Sequence, residues 1–109
     1  MTKKLMGALV FSITLAACTG TMHVASVSEA FKKYEQRDYE ATLRLVDQAE
    51  STGKMTDEQQ AQLIYLKALA FEGLGERELA LSLFTHIAEQ HPTSQYAYLS
   101  QTQLIDSSR

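Results

Sequence analysis

The sequence predicts an all-α domain behind an N-terminal export segment. Apolar residues recur at helical spacing through most of the chain that follows this segment. Thr56 and Gln59 form the pattern of a capping box, which marks the point where a helix begins. After the export segment, no alternating run of β-branched residues indicates a strand. At 109 residues, the chain is long enough for one small domain with a modest core.

The N-terminal segment has the three parts of a secretory signal peptide. Lys3 and Lys4 precede an apolar run from Leu5 to Ala17, and small residues end that run. The run is shorter than the roughly 20 residues that a membrane-spanning helix needs. We therefore expect residues 1–17 to act as a signal peptide that is removed on export.

Leu15-Ala16-Ala17-Cys18 resembles the bacterial lipobox at every position. In lipoproteins of that class, the cysteine thiol is joined to a diacylglycerol and the chain is cut before the cysteine. The resemblance implies lipidation at Cys18, a tether over residues 18–26 and an anchor that does not span the membrane. Thr19, which stands where Asp would retain a lipoprotein in the inner membrane, implies the periplasmic face of the outer membrane. An ordinary secreted protein with an incidental Cys18 is the alternative.

The charge of the mature chain argues against binding to nucleic acid. Without Lys3 and Lys4 the chain has eight basic and 13 acidic residues, a formal charge of −5 with histidine neutral. Nucleic-acid binding generally relies on Lys and Arg side chains that neutralise phosphates. Lys32, Lys33 and Arg37 form a small basic cluster near the expected anchor. Two interpretations stay open: an ordinary solvated helix face, or a surface that contacts anionic lipid headgroups.

The first two helices are predicted over about residues 27–36 and 38–51. Ser26 or Ser28 can cap the first helix, because short hydroxyl side chains accept hydrogen bonds from free backbone amides. Gly53 can adopt the left-handed conformation that commonly follows the end of a helix.

The remaining three helices follow equally local signals. The third begins at Asp57, and its apolar residues cover more than one face, so we expect it to pack on two sides. The fourth covers about residues 77–90 and ends at His91-Pro92, because the residue before a proline disfavours helical geometry. Thr93 or Ser94 caps the fifth helix, over about 94–105.

A repeated pattern connects the two helix pairs. Residues 37–40 align with residues 75–78, an offset of 38 residues. At this offset small residues match small ones and larger residues match larger ones: Ala30 with Ala68, Thr42 with Ala80, Val46 with Phe84 and Ala49 with Ile87. Helix pairs that repeat every 20–50 residues or so indicate a helical solenoid.

The second unit, about residues 61–94, resembles a tetratricopeptide repeat (TPR). The residues that carry this resemblance are Ala68, Phe71, Gly75, Ala80, Phe84 and Pro92. The first unit matches less well, since Lys33 stands where an aromatic residue is expected, and the fifth helix resembles the start of a third unit or a solvating cap. The resemblance implies a TPR-like solenoid of about two and a half repeats over residues 27–105, followed by a tail at 106–109.

The resemblance also implies a partner-binding groove. In TPR proteins, the first helices of successive units line a concave face that holds a peptide or a partner helix. The corresponding positions here are Phe31, Tyr34, Glu35, Gln62, Tyr65, Leu69, Glu72, Tyr96, Leu99 and Gln103. Tyr34, Tyr65 and Tyr96 are the expected anchors, because tyrosine combines an apolar face with a polar tip. For Phe31 and Leu69, packing in the core is the stronger alternative.

No catalytic or metal-binding pattern accompanies these residues. His86 and His91 are five residues apart, and neither cysteine nor a pair of carboxylates joins them at ligand spacing. Ser26 and Ser28 lack the Gly-x-Ser-x-Gly context of a nucleophilic serine. We expect no enzymatic activity, no metal and no cofactor beyond the covalent lipid on Cys18.

The expected function is binding of a protein partner by a membrane-anchored periplasmic adaptor, in a role such as envelope, secretion or pilus assembly. Residues 91–97 resemble a segment of periplasmic TPR lipoproteins of envelope assembly. Two alternatives stay open. One is a structural lipoprotein that self-associates through its exposed helix faces, and the other is a small exclusion or toxin-like lipoprotein of a mobile element.

Overall fold

A computed structural model describes residues 26–109, which form five helices and contain no strand. The first, α1, covers residues 26–35 of this range. The other four are α2 (Tyr39–Glu50), α3 (Asp57–Gly73), α4 (Arg77–Gln90) and α5 (Gln95–Ser107). The all-α fold class predicted from the sequence is confirmed. The predicted signal peptide and Cys18 lie outside the described residues.

Side-chain hydrogen bonds cap the starts of three helices. The Asp38 carboxylate accepts from the Ala41 amide at 3.2 Å at the start of α2. Thr56 and Gln59 form the predicted reciprocal box at the start of α3, with bonds of 3.1 and 2.9 Å. Ser94 caps α5 by accepting from the Tyr96 amide at 3.0 Å. Each bond satisfies an amide that has no partner within its own helix.

Two boundary predictions were wrong. Residue 26 is already helical, so neither Ser26 nor Ser28 is the N-cap of α1. The last helix continues to Ser107, two residues beyond its predicted end. The Arg77 guanidinium donates to the Ser107 carbonyl oxygen at 2.7 Å. This contact supplies a partner for one of the carbonyls that the end of a helix leaves free.

The two turns inside the helix pairs have the same unusual backbone. Arg37, between α1 and α2, has a φ of 63°, and Gly75, between α3 and α4, has a φ of 82°. These residues are 38 apart, the offset of the repeated pattern. Glycine adopts this left-handed conformation freely, whereas a side chain such as that of Arg37 costs roughly 1–2 kcal/mol. The first turn therefore keeps the geometry of the second without its glycine.

In the four aligned pairs, residues that are 38 positions apart are buried to the same extent. All eight residues of the four aligned pairs are at most 1% exposed: Ala30 and Ala68, Thr42 and Ala80, Val46 and Phe84, Ala49 and Ile87. The two helix pairs thus bury equivalent positions, as the sequence alignment predicts.

The core consists of three clusters, and α3 contributes to all of them. One joins α1, α2 and α3 through Ala30, Val46, Ala49, Leu63 and Leu66. A second joins α3, α4 and α5 through Ala61, Ile87 and Ala97. The third joins α3 and α4 through Ala68, Ala80 and Phe84. The prediction that α3 packs on two sides is confirmed. Since so many members are alanines, the helices approach closely and a larger side chain has little room.

Candidate functional site

The rings of Tyr65 and Tyr96 lie side by side between α3 and α5. Their centroids are 5.4 Å apart, and the Tyr65 ring also lies 5.6 Å from that of Phe84. Phe84 is fully buried, whereas both tyrosines are half-buried at the edge of the core. Tyr65 therefore has two roles: one side of its ring closes the core, and the remainder lines the surface with Tyr96.

Tyr34 approaches the same face from α1. Its ring lies 5.8 Å from that of Tyr39, and it packs against the core cluster that joins α1, α2 and α3. Burial raises the pKa of Tyr34, and its neighbours Tyr39, Glu72 and Tyr65 raise this pKa further. The ring contact of Tyr34 is with Tyr39, and Tyr65 is the smallest of the four influences on its pKa.

Glu72 links the two tyrosines. Burial raises the pKa of Tyr65, a hydrogen bond with the Gln103 side chain lowers it, and the Glu72 carboxylate and Tyr96 raise it. The negative charge of Glu72 disfavours the phenolates of both Tyr34 and Tyr65, so one carboxylate raises the pKa of both tyrosines. The structure therefore brings Tyr34, Tyr65, Tyr96, Glu72 and Gln103 together on one face of α1, α3 and α5. We call this face the groove.

The other predicted groove residues lie at its margins. Phe31 packs against the cluster of α1, α2 and α3, and Leu69 packs against the cluster of α3 and α4, so both contribute to the core. Gln62 is half-buried, Leu99 is 37% exposed and Glu35 is exposed. Leu99 is the one exposed apolar residue among these margin positions.

An open depression of about 480 Å³ continues from the groove towards the end of α5. Its lining residues are Glu72, Gly75, Arg77, Gln103, Asp106 and Ser107. Arg77 and Asp106 were missed by sequence reasoning. The spacing offered one signal, because Asp106 follows Gln103 by three residues and so lies on the same side of a helix.

His86 and His91 lie outside the groove. The Nδ1 atom of His91, which is buried, lies 2.7 Å from the Oδ1 atom of the exposed Asp57. The His86 ring lies 6.0 Å from that of His91. Both histidines line a shallow depression of about 300 Å³ with Glu50 and other residues. Within residues 26–109, no group of three or more His, Cys, Asp or Glu side chains could hold a metal ion. The His91–Asp57 contact joins the end of α4 to the start of α3.

The groove offers ring faces, one amide and the Glu72 carboxylate, and the adjoining depression adds the carboxylate of Asp106. None of the helices in residues 26–109 is long and apolar enough to cross a membrane. Comparisons with protein-family models, with curated proteins and with solved structures find no match for this chain. The function is therefore argued from the residues of the groove themselves.

Proposed function

We propose that this protein is a lipid-anchored periplasmic adaptor that binds a segment of a partner protein in the groove. The TPR resemblance supports the choice of face, because TPR proteins bind with the first helices of their units. Its structural support is the equivalence of the two helix pairs, which share buried positions and the left-handed turn residues Arg37 and Gly75.

The observation that carries this proposal is the placement of Tyr65 and Tyr96 beside each other at the surface. A pair of rings needed only for the core would be covered, as Phe84 is. Instead both rings are half-buried, and the Tyr65 hydroxyl shares a hydrogen bond with the Gln103 side chain. Tyrosines with an apolar face and an accessible polar tip are typical of protein interfaces.

The charges of the groove indicate the chemistry of the segment. Glu72 and Asp106 present two exposed carboxylates, and the guanidinium of Arg77 in the same depression already donates to Ser107. A Lys or Arg side chain of the partner would contact a tyrosine ring and pair with Glu72 at once. The best-fitting segment therefore carries one basic residue flanked by apolar or aromatic residues.

Photo-crosslinking in intact envelopes tests the groove. A photoreactive residue at Leu99, which is exposed beside Tyr96, is compared with one at Glu76, which is exposed on a turn outside the groove. Mass spectrometry then identifies what is captured. We expect a protein attached through position 99 and absent at position 76. Equal capture at both positions, or none at position 99, would contradict the groove assignment.

The anchor is tested separately. The lipobox resemblance at residues 15–18 supports a lipid on Cys18, so Cys18→Ser should abolish fatty-acid labelling and leave the chain unprocessed or released. Thr19 supports the outer membrane, which fractionation against inner-membrane markers checks. A Cys18→Ser protein that remains in the membrane with mature mass would show that a different feature anchors the chain.

A further inference from the structure

The outer side of α5 exposes two large apolar side chains in line. Tyr98 is 72% exposed and Ile105 is 58% exposed, and Thr102 lies between them. Spacings of four and three residues place all three on one side of the helix. We call these three residues the outer α5 face. Asp106 is the only Asp, Glu, Lys or Arg in Gln95–Ser107, so the outer α5 face carries almost no charge.

The equivalent side of α3 is covered by a helix. An offset of 34 residues places Tyr98, Thr102 and Ile105 on Ile64, Ala68 and Phe71. All three residues of α3 pack in clusters that include α4: Ala68 and Phe71 with Ala80 and Phe84, and Ile64 with Ile87. The opposite sides also correspond, because Leu63 and Leu66 match Ala97 and Ser100, and all four are buried. The face that α3 covers with α4 is thus exposed on α5.

This face is complementary to itself. If two α5 helices cross antiparallel at Thr102, the small threonines meet at the crossing point and Tyr98 of each copy lies beside Ile105 of the other. A two-fold interface requires this reciprocal relation. The residues that follow the predicted signal peptide carry a formal charge of −5, so two copies repel each other through their charged surfaces. The outer α5 face is almost free of charge, and a second copy can approach there without this repulsion.

We propose that α5 pairs with α5 of a second copy through Tyr98, Thr102 and Ile105. Tyr96 and Gln103 each lie two residues from a member of this face, and therefore on the other side of the helix. Pairing leaves the groove of each copy open. The dimer presents two grooves, and its formation does not depend on whether the groove binds a partner.

Sedimentation of the full chain in mild detergent tests the pairing. Tyr98→Glu and Ile105→Glu each place a charge in the interface, and we expect the dissociation constant of the dimer to rise about tenfold or more. Leu79→Glu is the matched control, because Leu79 is 48% exposed on α4 and lies outside the outer α5 face. Circular dichroism checks that all three variants keep their helices.

Disulfide trapping gives an independent measurement. In a Cys18→Ser background, Thr102→Cys leaves one thiol per chain at the proposed two-fold axis, whereas Gln48→Cys places it on exposed α2. We expect a disulfide-linked dimer from position 102 and none from position 48. The proposal is overturned if the wild-type chain stays monomeric up to about 1 mM, or if Leu79→Glu weakens association as much as Ile105→Glu. Equal trapping at both positions, or a different protein attached at position 102, would also overturn it.

Discussion

The ring of Tyr39 occupies the space in which a Cβ atom at Gly73 would lie. Tyr39 is the first residue of α2 and Gly73 is the last of α3, so this contact joins the first helix pair to the end of the next helix. The same ring tilts against Tyr34. Because Tyr34 and Glu72 both belong to the groove, the Tyr39–Gly73 contact positions one end of it.

A double-mutant cycle tests this contact. Gly73→Ala in the wild-type chain must displace the Tyr39 ring, and we expect it to lower the free energy of unfolding by about 1 kcal/mol. In a Tyr39→Ala background there is no ring to displace. There the higher helix propensity of alanine should raise the free energy of unfolding, by up to about 1 kcal/mol. Denaturant unfolding of the four proteins measures both effects.

The sign of the Gly73→Ala effect is the decisive result of that cycle. A substitution that stabilises both backgrounds equally would mean that the Tyr39 ring does not lie over Gly73. A reversal between the two backgrounds measures the coupling of the two residues directly.

The crossing of α3 and α4 is expected to be intolerant of larger side chains. Ala68 and Ala80 are both buried in the cluster around Phe84. Ala80→Leu should lower the free energy of unfolding by about 1–3 kcal/mol, because the helices must separate to admit the leucine. For a domain of this size, the melting temperature falls by about 4–8 °C per kcal/mol. Ser82→Leu, at an exposed position of the same helix, is the control. A melting curve that Ala80→Leu leaves unchanged would contradict the register of the two helices.

The tyrosines of the groove give a prediction for alkaline pH. Burial is the main cause that raises the pKa of Tyr34 and Tyr65 above the usual 10.0. Tyr39 and then Glu72 raise that of Tyr34 further, and Glu72 and Tyr96 raise that of Tyr65. A group whose folded pKa is raised contributes stability that is complete below its unfolded pKa. That stability is lost as the pH rises from about 10 through the folded pKa. We therefore expect the folded protein to lose stability in this range.

Phenolate absorbance resolves these steps. Tyr34→Phe and Tyr65→Phe should each remove one late-ionising tyrosine, whereas Tyr98→Phe should leave both late steps in place. Glu72→Gln should bring both steps to lower pH, because it removes a negative charge that disfavours the phenolates. If Glu72→Gln leaves both steps unmoved, the carboxylate does not lie near the two hydroxyls.

Local signals explain what the sequence predicts well. At the starts of α3 and α5, a hydroxyl side chain accepts a hydrogen bond from a backbone amide two or three residues later. The end of α4 is set by Pro92. Such pairs are close in sequence, so their geometry follows from spacing. The offset of 38 residues can also be found without knowledge of any contact, because it compares the residue types of two helix pairs.

What the sequence does not predict depends on distant contacts. The left-handed Arg37 has no glycine to signal it, and α5 ends where the side chain of Arg77, 30 residues earlier, reaches Ser107. The groove, too, is predicted only in part from the sequence. The TPR resemblance predicts that Tyr65 and Tyr96 share one face. Only the packing of α4 shows that Phe84 holds the other side of the Tyr65 ring.

The two-sided packing of Tyr65 decides how the groove must be tested. Truncation of an aromatic anchor often costs 2 kcal/mol or more, which is roughly a thirtyfold loss of affinity. We expect Tyr65→Ala to weaken partner capture by about this factor. It should lower the melting temperature as well, since its ring packs on Phe84 and Tyr96. Glu72→Gln removes an exposed charge and should weaken capture with little change in melting temperature.

Glu76→Ala is the control for both variants, because Glu76 is exposed on the turn outside the groove. Its capture of the partner should match that of the wild-type protein. Circular dichroism must accompany each binding measurement, so that loss of fold is separated from loss of contact. A stably folded Tyr65→Ala protein with full affinity would exclude this ring from the interface. Unchanged affinity in Glu72→Gln would instead show that the partner segment binds without a basic residue at this carboxylate.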